Sequence, residues 1–383
     1  MRVLLSSTWG YGHVFPMVPL AQALLAAGHE VLWVTNEPAC PLVADAGVPC
    51  VAGGLDSTGV LDIQRRNGSH MQRLAPRERG RIAFANLFAT WAAPAMTEDL
   101  LQLAQRWSPD LLVHEQAELA SPLVGAILGL PSVTHAFGTA VPPATLTEAG
   151  SQLMSLWTRH GLALPPHAGC FRSLYLDICP PSVQSGDRAH IRDAQPLRPV
   201  PWTGPRTATL PPYLERDERP LVYLTLGTVQ NHAPVMRPAV AALAALPVRV
   251  LATVGLDGNP DVLGAQPSNV TVARWVPQSQ VFEHCDAVVS HAGSGTFLAA
   301  LGAGLPQLCL PQAADQFRNT DAGVRTGAAL GLAPDEATID TIRAAVISLL
   351  EQPSLRAAAL LVAREITAMP SPDDIVKVLV TLV

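Results

Sequence analysis

The segment around residues 287–302 places an imidazole, glycines and hydroxyl groups between a predicted strand and a predicted helix. The apolar run Ala287–Ser290 predicts a buried strand, and the Ala- and Leu-rich segment after residue 296 predicts a helix. Such a junction offers an anion free backbone N–H groups and the positive end of a helix dipole, and glycines let the anion approach closely. The residues predicted to bind a diphosphate are His291, Gly293, Ser294, Gly295 and Thr296.

Residues on both sides of this turn extend the predicted site. A tryptophan upstream, in a loop stiffened by Pro277, offers an indole face on which a nucleobase can stack. Downstream, an Asp-Gln pair follows the predicted strand Pro306–Pro311, at the edge of a parallel sheet where α/β folds bind ligands. These two side chains can bond sugar hydroxyls. The residues predicted to bind the base and the sugar are Trp275, Val276, Gln278, Asp315 and Gln316.

Two other predicted strand ends carry residues that can do chemistry. Strand Leu221–Leu226 runs into Gly227 and Thr228, whose backbone can meet the charge of a leaving diphosphate. Near the start of the chain, His13 lies where the first strand enters the first helix. A helix N-terminus disfavours imidazolium, so this ring can stay neutral and accept a proton. A histidine that only caps its own helix is the alternative.

Composition limits the classes of protein to consider. A chain of 383 residues, with 49% hydrophobic and 15% charged residues, predicts two globular domains. No apolar run approaches the ~18 residues of a membrane span, and the opening residues predict a buried strand rather than a signal peptide. The net charge of −6 gives no reason to expect nucleic acid. The six cysteines contain no C-x-x-C pair, which favours reduced thiols in a cytoplasmic protein.

Strands and helices alternate in both halves, which predicts an α/β protein with two parallel, doubly wound sheets. A proline-rich stretch without periodicity separates them. We predict an N-terminal domain over 1–200, a linker over 201–220, a C-terminal domain over 221–368 and a last helix within 369–383. Between the first strands, residues 53–70 predict a loop, and Pro76–Trp107 predicts a long helix kinked at Pro94.

Five motifs in register resemble those of a known family. They are G-x-G-H-x-x-P at the start of the chain, then W-x-P-Q, S-H-x-G, G-x-P and P-x-x-x-D-Q between Trp275 and Gln316. This order resembles family 1 glycosyltransferases of the GT-B fold, and most closely the bacterial group that decorates macrolides and aromatic polyketides. The resemblance implies two facing Rossmann-like domains with an interdomain cleft, and a C-terminal helix that crosses back onto the N-terminal domain.

The resemblance also implies roles for individual residues. His13 would be the general base, and Glu115, at the end of the fourth strand, would hold its tautomer where the family commonly has Asp. A plain surface carboxylate is the alternative for Glu115. The hydrophobic acceptor would bind to the N-terminal domain, and aromatic residues there are more often core than pocket wall. The candidate acceptor-binding residues are Met71, Phe84, Phe88, Trp91, Phe137 and Trp157.

The reaction expected from these roles is a single displacement with inversion, in which a sugar moves from a nucleotide to an aglycone. No D-x-D motif occurs in the chain, so we expect no metal and no cofactor besides the nucleotide-sugar cosubstrate. Plant relatives bind the ribose with a glutamate where this chain has Ala299. A nucleotide without a 2′-hydroxyl loses least from that change, so we expect a dTDP-deoxysugar rather than a UDP-sugar.

Several alternatives compete with this interpretation. A dinucleotide oxidoreductase is disfavoured because Phe15 replaces the third glycine of G-x-G-x-x-G and no acidic residue ends the second strand. A non-catalytic homologue that binds nucleotide-sugars, and an epimerase with the same two-domain plan, remain open. So do the identities of sugar and aglycone, the choice among O-, N- and C-transfer, an auxiliary protein, and a homodimer.

Overall fold

A computed structural model describes residues 1–71, 74, 76–184, 186, 188–202, 204, 214, 218–227, 234–255 and 258–383. It divides the chain into two compact units. The first comprises residues 1–179, 185–202 and 369–383, and the second comprises residues 180–184 and 203–368. Most of the predicted linker, Thr228 and the side chain of Met71 lie outside the described part.

The first unit contains a parallel sheet of seven strands in the order β3-β2-β1-β4-β5-β6-β7. Central strands β1 and β4 are almost wholly buried apolar runs, because helices cover both faces of a parallel sheet. The strands are β1 (Arg2–Ser6), β2 (Glu30–Thr35), β3 (Cys50–Ala52), β4 (Leu111–Glu115), β5 (Ser132–His135), β6 (Leu174–Asp177) and β7 (Ala194–Pro196).

The helices of this unit connect the strands in chain order. They are α1 (Tyr11–Val14), α2 (Val18–Ala26), α3 (Cys40–Asp45), α4 (Ser57–Met71), α5 (Pro76–Phe84), α6 (Ala93–Trp107), α7 (Ser121–Leu128) and α8 (Pro143–Arg159). The loop predicted over 53–70 is wrong, since α4 occupies most of it. Asp56 accepts a hydrogen bond from the Gly59 N–H, and Val60 and Ile63 bury one face. The N-terminal cap and the apolar pair at helical spacing therefore favour a helix more strongly than the glycines disfavour one.

The predicted helix over 76–107 exists, but it contains eight residues of π-helix, Ala85–Ala92, immediately before Pro94. The Ala93 N–H bonds to the Phe88 carbonyl, five residues back. Proline has no N–H for the carbonyl four residues before it, so the regular ladder cannot run through this point. Phe88 and Trp91 lie within this π-helical segment.

The second unit contains a parallel sheet of six strands in the order β10-β9-β8-β11-β12-β13. Its strands are β8 (Leu221–Thr225), β9 (Arg249–Thr253), β10 (Val270–Ala273), β11 (Ala287–Ser290), β12 (Gln307–Cys309) and β13 (Ala329–Gly331). Its helices are α9 (Met236–Ala244), α10 (Gln278–Phe282), α11 (Ser294–Gly302), α12 (Gln316–Thr326), α13 (Ile339–Glu351) and α14 (Pro353–Ala368).

The last helix, α15 (Pro372–Val380), belongs to the first unit and packs on α2. Ser371 caps its N-terminus in a capping box with Asp374, and Ile375, Val376 and Leu379 are buried. Within the described ranges, no single helix is long and apolar enough to cross a membrane. Residues 339–351 and 353–380 pass that test only as a pair bent by 71°, by length and composition alone.

Candidate active site

In the first unit, the sequence predicted that His13 would lie at the carboxyl edge of the sheet, and the structure places it there, in α1. Gly10 precedes the helix with φ 100°, a conformation that favours glycine, and its carbonyl accepts the His13 N–H at 3.1 Å. The imidazole Nδ1 lies 3.1 Å from the Glu115 Oε2. An added Cβ at Gly12 would meet no described atom within 4 Å, so there is open space beside the histidine.

Glu115 is the last residue of β4 and is fully buried. Its Oε2 accepts the Thr8 hydroxyl at 3.2 Å, and its Oε1 accepts the Ala117 N–H at 2.7 Å. These bonds satisfy both oxygens of a group that would otherwise be costly to bury. Because β4 neighbours β1 in the sheet, Glu115 and Thr8 lie at adjacent strand ends and the carboxylate points at His13. The surface alternative for Glu115 is therefore wrong.

A second buried carboxylate, Glu118, supports the same turn without facing His13. It accepts the Ser6 hydroxyl at 2.7 Å and the N–H groups of Ala120 and Ser121 at the start of α7. The His114 Nδ1 lies 2.9 Å from the Glu118 carbonyl, and burial lowers the pKa of that ring. Glu118 thus holds the turn that follows Glu115.

Two of the predicted acceptor-binding aromatics contact His13. The ring centroids of Phe88 and Phe137 each lie 5.3 Å from that of the histidine, and Phe84 packs against Phe88 at 5.2 Å. The other two described candidates lie in different surroundings. Trp157 is only 1% exposed within the core, whereas Trp91 is 42% exposed and lies under the Arg66 guanidinium at 5.6 Å.

In the second unit, the turn after β11 leads directly into α11. Ala292 has φ 60°, a left-handed conformation that is uncommon for residues other than glycine, and its N–H bonds to the Ser290 hydroxyl at 3.0 Å. Gly293 is the N-cap and its carbonyl accepts the Phe297 N–H. The N-terminal N–H groups of a nine-residue helix and its positive dipole end therefore meet at the predicted diphosphate position.

The His291 ring lies between two glycines. A Cβ added at Gly227 would come within 2.6 Å of the ring, and one added at Gly293 within 2.5 Å, so neither position has room for a side chain. Burial lowers the pKa of His291 to about 4, although the Asp315 charge opposes this shift. The ring is therefore neutral at physiological pH. Its buried Nδ1 has no hydrogen-bond partner among the described residues.

Of the predicted sugar-binding pair, Asp315 bonds to this same turn, whereas Gln316 bonds to the loop before α12. The Asp315 Oδ2 accepts the Ser294 hydroxyl at 2.6 Å. The Gln316 Oε1 accepts the N–H groups of Gln312 and Ala313 at 2.7 and 2.9 Å. The side-chain oxygen of Gln316 therefore stabilises the loop before α12. The side-chain NH2 group of Gln316 is the part suited to a sugar hydroxyl.

The remaining predicted nucleotide-binding residues surround the start of α11 and the loop before α10. The side-chain NH2 of Gln278 donates to the Thr296 hydroxyl oxygen at 3.0 Å, so both groups already have a hydrogen-bond partner within the protein. Val276 is buried in the core, which leaves only its main chain for a base. The Trp275 ring is partly exposed and lies 3.4 Å from the position of a Cβ added at Gly204. At Gly295 no described atom lies within 4 Å of an added Cβ.

Sequence reasoning did not single out Thr8 or Asn319. Thr8 has no distinctive spacing, so only the fold shows that its hydroxyl meets Glu115. Asn319 carries a signal that was available, since it stands four residues after Asp315 on a predicted helix, and residues at that spacing share a face. Its side chain contacts both Ser294 and Asp315.

Comparison with solved structures identifies the fold. Spinosyn Rhamnosyltransferase SpnG superposes with a TM-score of 0.84 at 29% sequence identity, covering 99% of this chain and 100% of that chain. The glycosyltransferase SnogD from Streptomyces nogalater gives a TM-score of 0.79 at 30% identity, covering 100% and 99%. With its seven- and six-stranded parallel sheets, the chain has the GT-B fold of glycosyltransferases, as the sequence predicted.

Within that class, the chain belongs to the Erythromycin biosynthesis protein CIII-like family and is a glycosyltransferase. The N-terminal domain of that family matches residues 22–227, and the C-terminal domain matches residues 238–382. The L-demethylnoviosyl transferase of Streptomyces niveus is 35% identical over 90% of this chain and 88% of its own length. The Elloramycin glycosyltransferase ElmGT of Streptomyces olivaceus is 34% identical over 98% and 96%.

Proposed function

We propose that this glycosyltransferase moves a deoxysugar, with inversion and without a metal ion, from a dTDP-sugar to a hydrophobic, polyketide-type aglycone. The observation that carries the proposal is the contact between His13 and Glu115. The carboxylate accepts bonds from Thr8 and from the Ala117 N–H, and its Oε2 lies 3.1 Å from the imidazole Nδ1. This arrangement favours the tautomer with its proton on Nδ1 and a lone pair on Nε2, which is the form a general base needs.

The proposed chemistry is one displacement. The His13 Nε2 takes the proton of the acceptor hydroxyl as the acceptor oxygen attacks the anomeric carbon. The bond from that carbon to the diphosphate oxygen breaks, its electron pair leaves with dTDP, and the configuration at the anomeric carbon inverts. Glu115 stabilises the imidazolium that forms, as an aspartate does in a catalytic triad.

The second unit supplies the groups that suit the leaving diphosphate. The N-terminus of α11 and the neutral His291 ring are hydrogen-bond donors arranged before the reaction, whereas the Gly227 N–H already donates to the Thr225 hydroxyl. Preorganised donors of this kind stabilise developing negative charge without rearranging during the step. We therefore propose that no divalent cation bridges the diphosphate.

The proposed donor and acceptor agree with what is bound in a related structure. SpnG has been solved in complex with thymidine diphosphate and, separately, with spinosyn aglycone. In this chain, the alanine at position 299 provides no carboxylate for a ribose 2′-hydroxyl, which favours a deoxyribose. Phe88 and Phe137 beside His13 provide apolar surface of the kind that a polyketide aglycone needs.

The decisive experiment incubates the protein with panels of dTDP- and UDP-sugars and a library of polyketide aglycones, with and without a chelator. We expect transfer from dTDP-deoxysugars in the presence of the chelator, and NMR of the product should show the inverted anomeric configuration. Retention of configuration, or loss of activity on chelation, would contradict the proposed mechanism. Nucleotide binding without transfer would indicate a non-catalytic homologue, and a changed nucleotide-sugar without acceptor would indicate an epimerase.

A further inference from the structure

A buried amide on α12 connects three parts of the proposed nucleotide-sugar site. The Asn319 Nδ2 lies 2.9 Å from the Ala292 carbonyl oxygen, 3.1 Å from the Ser294 Oγ and 3.2 Å from the Asp315 Oδ2. The side chain is almost completely buried, so water does not compete for these contacts. One NH2 group thus faces the turn after β11, the first residue of α11 and the N-cap of α12.

Each of the three oxygens belongs to a group whose position matters for the proposed nucleotide-sugar site. Ala292 adopts a left-handed backbone conformation, which persists only where the surroundings support it. The Ser294 hydroxyl donates to the Asp315 Oδ2 at 2.6 Å, so the diphosphate turn and the sugar-binding carboxylate already touch. Asn319 bonds to both members of that pair and closes a small network around them.

We propose that Asn319 is a positioning residue that keeps the diphosphate turn and Asp315 in the geometry needed to bind the nucleotide-sugar. This inference rests on the proposed function of that site. The two amide hydrogens serve three oxygens, so the amide is a shared donor rather than half of a single pair. Its loss leaves the buried Ala292 carbonyl without this donor and lets the turn and the carboxylate move independently.

The first test compares Asn319→Ala with Thr320→Ala in calorimetric titrations with TDP. Thr320 is the next residue on the same helix and is also buried, but its hydroxyl bonds to the Gln316 carbonyl within α12. We expect Asn319→Ala to weaken TDP binding by about 10- to 100-fold, because it removes hydrogen bonds that include one to a carboxylate. The Thr320 variant should bind TDP within about three-fold of the wild type.

A second variant separates hydrogen bonding from packing. Asn319→Leu keeps the approximate size and shape of the side chain and adds no charge, but it has no donor for the three acceptors. If Asn319 only fills space, this variant should bind TDP as the wild type does. We expect it to bind at least as weakly as the alanine variant, and thermal unfolding and circular dichroism will show whether the fold is retained.

Steady-state kinetics and a double mutant test the positioning role of Asn319 in two further ways. The KM for the nucleotide-sugar should rise more than kcat falls, because the base on the first unit is untouched. The loss from Asn319→Ala should be smaller in a Ser294→Ala background, since one of its acceptors is already gone. Folded Asn319 variants with wild-type TDP affinity would overturn the positioning role. A wild type that binds no nucleoside diphosphate would instead overturn the proposed function.

Discussion

At the scale of single residues, the proposed chemistry of the first unit depends on how His13 is held. A solvated histidine turns freely and exchanges its tautomers, whereas the His13 ring lies between two phenylalanines and next to a carboxylate with a bond to each oxygen. The position of this histidine at a strand end was predictable from the apolar strand before it and the helix after it. The role of Thr8 was not predictable, because contact between the ends of β1 and β4 arises only when the sheet forms.

Replacing the histidine tests the base directly. His13→Ala should lower turnover by about 10²- to 10⁴-fold, the usual effect of losing a general base, and leave TDP affinity nearly unchanged. Steady-state kinetics and calorimetry measure the two effects separately. Glu115→Gln is the companion variant, with an intermediate loss expected because His13 remains while its charged partner is gone. Full activity in His13→Ala would rule out the base for transfer to a hydroxyl.

The proposed preference for a dTDP-sugar also rests on a single residue, Ala299. A site that offers the ribose 2′-hydroxyl no partner must still desolvate it, at a cost of about 1–3 kcal/mol. The wild type should therefore bind TDP about 10- to 100-fold more tightly than UDP, as calorimetry can measure. Equal affinities, or a preference for UDP, would show that another residue contacts the ribose.

A substitution at position 299 tests the proposed ribose contact directly. Ala299 is 8% exposed and packs in the core with Val276 and Phe282. A glutamate there could contact a ribose only by leaving that packing, so Ala299→Glu should lower stability as well as improve UDP binding. Thermal unfolding beside the titrations will separate the two effects. An unchanged ratio of TDP to UDP affinity in a folded variant would mean that position 299 does not face the nucleotide.

At the scale of elements, the central strands of both sheets were predictable, whereas strands β6, β7 and β13 and helix α4 were not. Parallel strands are continuous buried apolar runs, so β1, β4, β8 and β11 stand out in the sequence. Helix α4 does not, because its composition is polar on average and, among its described side chains, a cap at Asp56 and buried Val60 and Ile63 are what favour it. The π-helical segment before Pro94 was not predictable either. A proline indicates that the hydrogen bonds of the helix are interrupted, but it does not indicate which residues form the wider turns.

A substitution of Gly295, at the start of α11, can separate an effect on protein stability from an effect on TDP binding. Gly295 is helical, and no described atom lies within 4 Å of an added Cβ, so the protein itself does not require glycine there. Gly295→Ala should raise the free energy of unfolding by about 0.5–1 kcal/mol, because glycine destabilises helices. It should also weaken TDP binding if a phosphate approaches the backbone at this point. A more stable variant with unchanged TDP affinity would remove Gly295 from the binding site.

At the scale of the whole molecule, neutral histidines with lowered pKa values make the stability of the protein depend on pH. His114 and His135 are fully buried in the first unit, and His291 lies partly buried in the second, with its Nδ1 atom buried. Burial lowers the pKa of each ring, to about 4 for His135 and His291. Two of these residues neighbour the proposed catalytic groups: His135 pairs with Glu115 across β5 and β4, and His291 supports the diphosphate turn.

These lowered values predict that stability falls in mild acid. Between the ordinary pKa of 6.5 and a folded value of about 4, the unfolded chain binds protons that the folded chain excludes. Stability is therefore complete above pH 6.5 and is lost as pH falls towards 4, by up to about 3 kcal/mol for each of His135 and His291. Urea unfolding at pH 7.5, 6.0 and 5.0 should show falling midpoints, and His291→Asn should make the decline shallower. A midpoint independent of pH, or a variant with the wild-type slope, would show that the His291 ring does not stay neutral on folding.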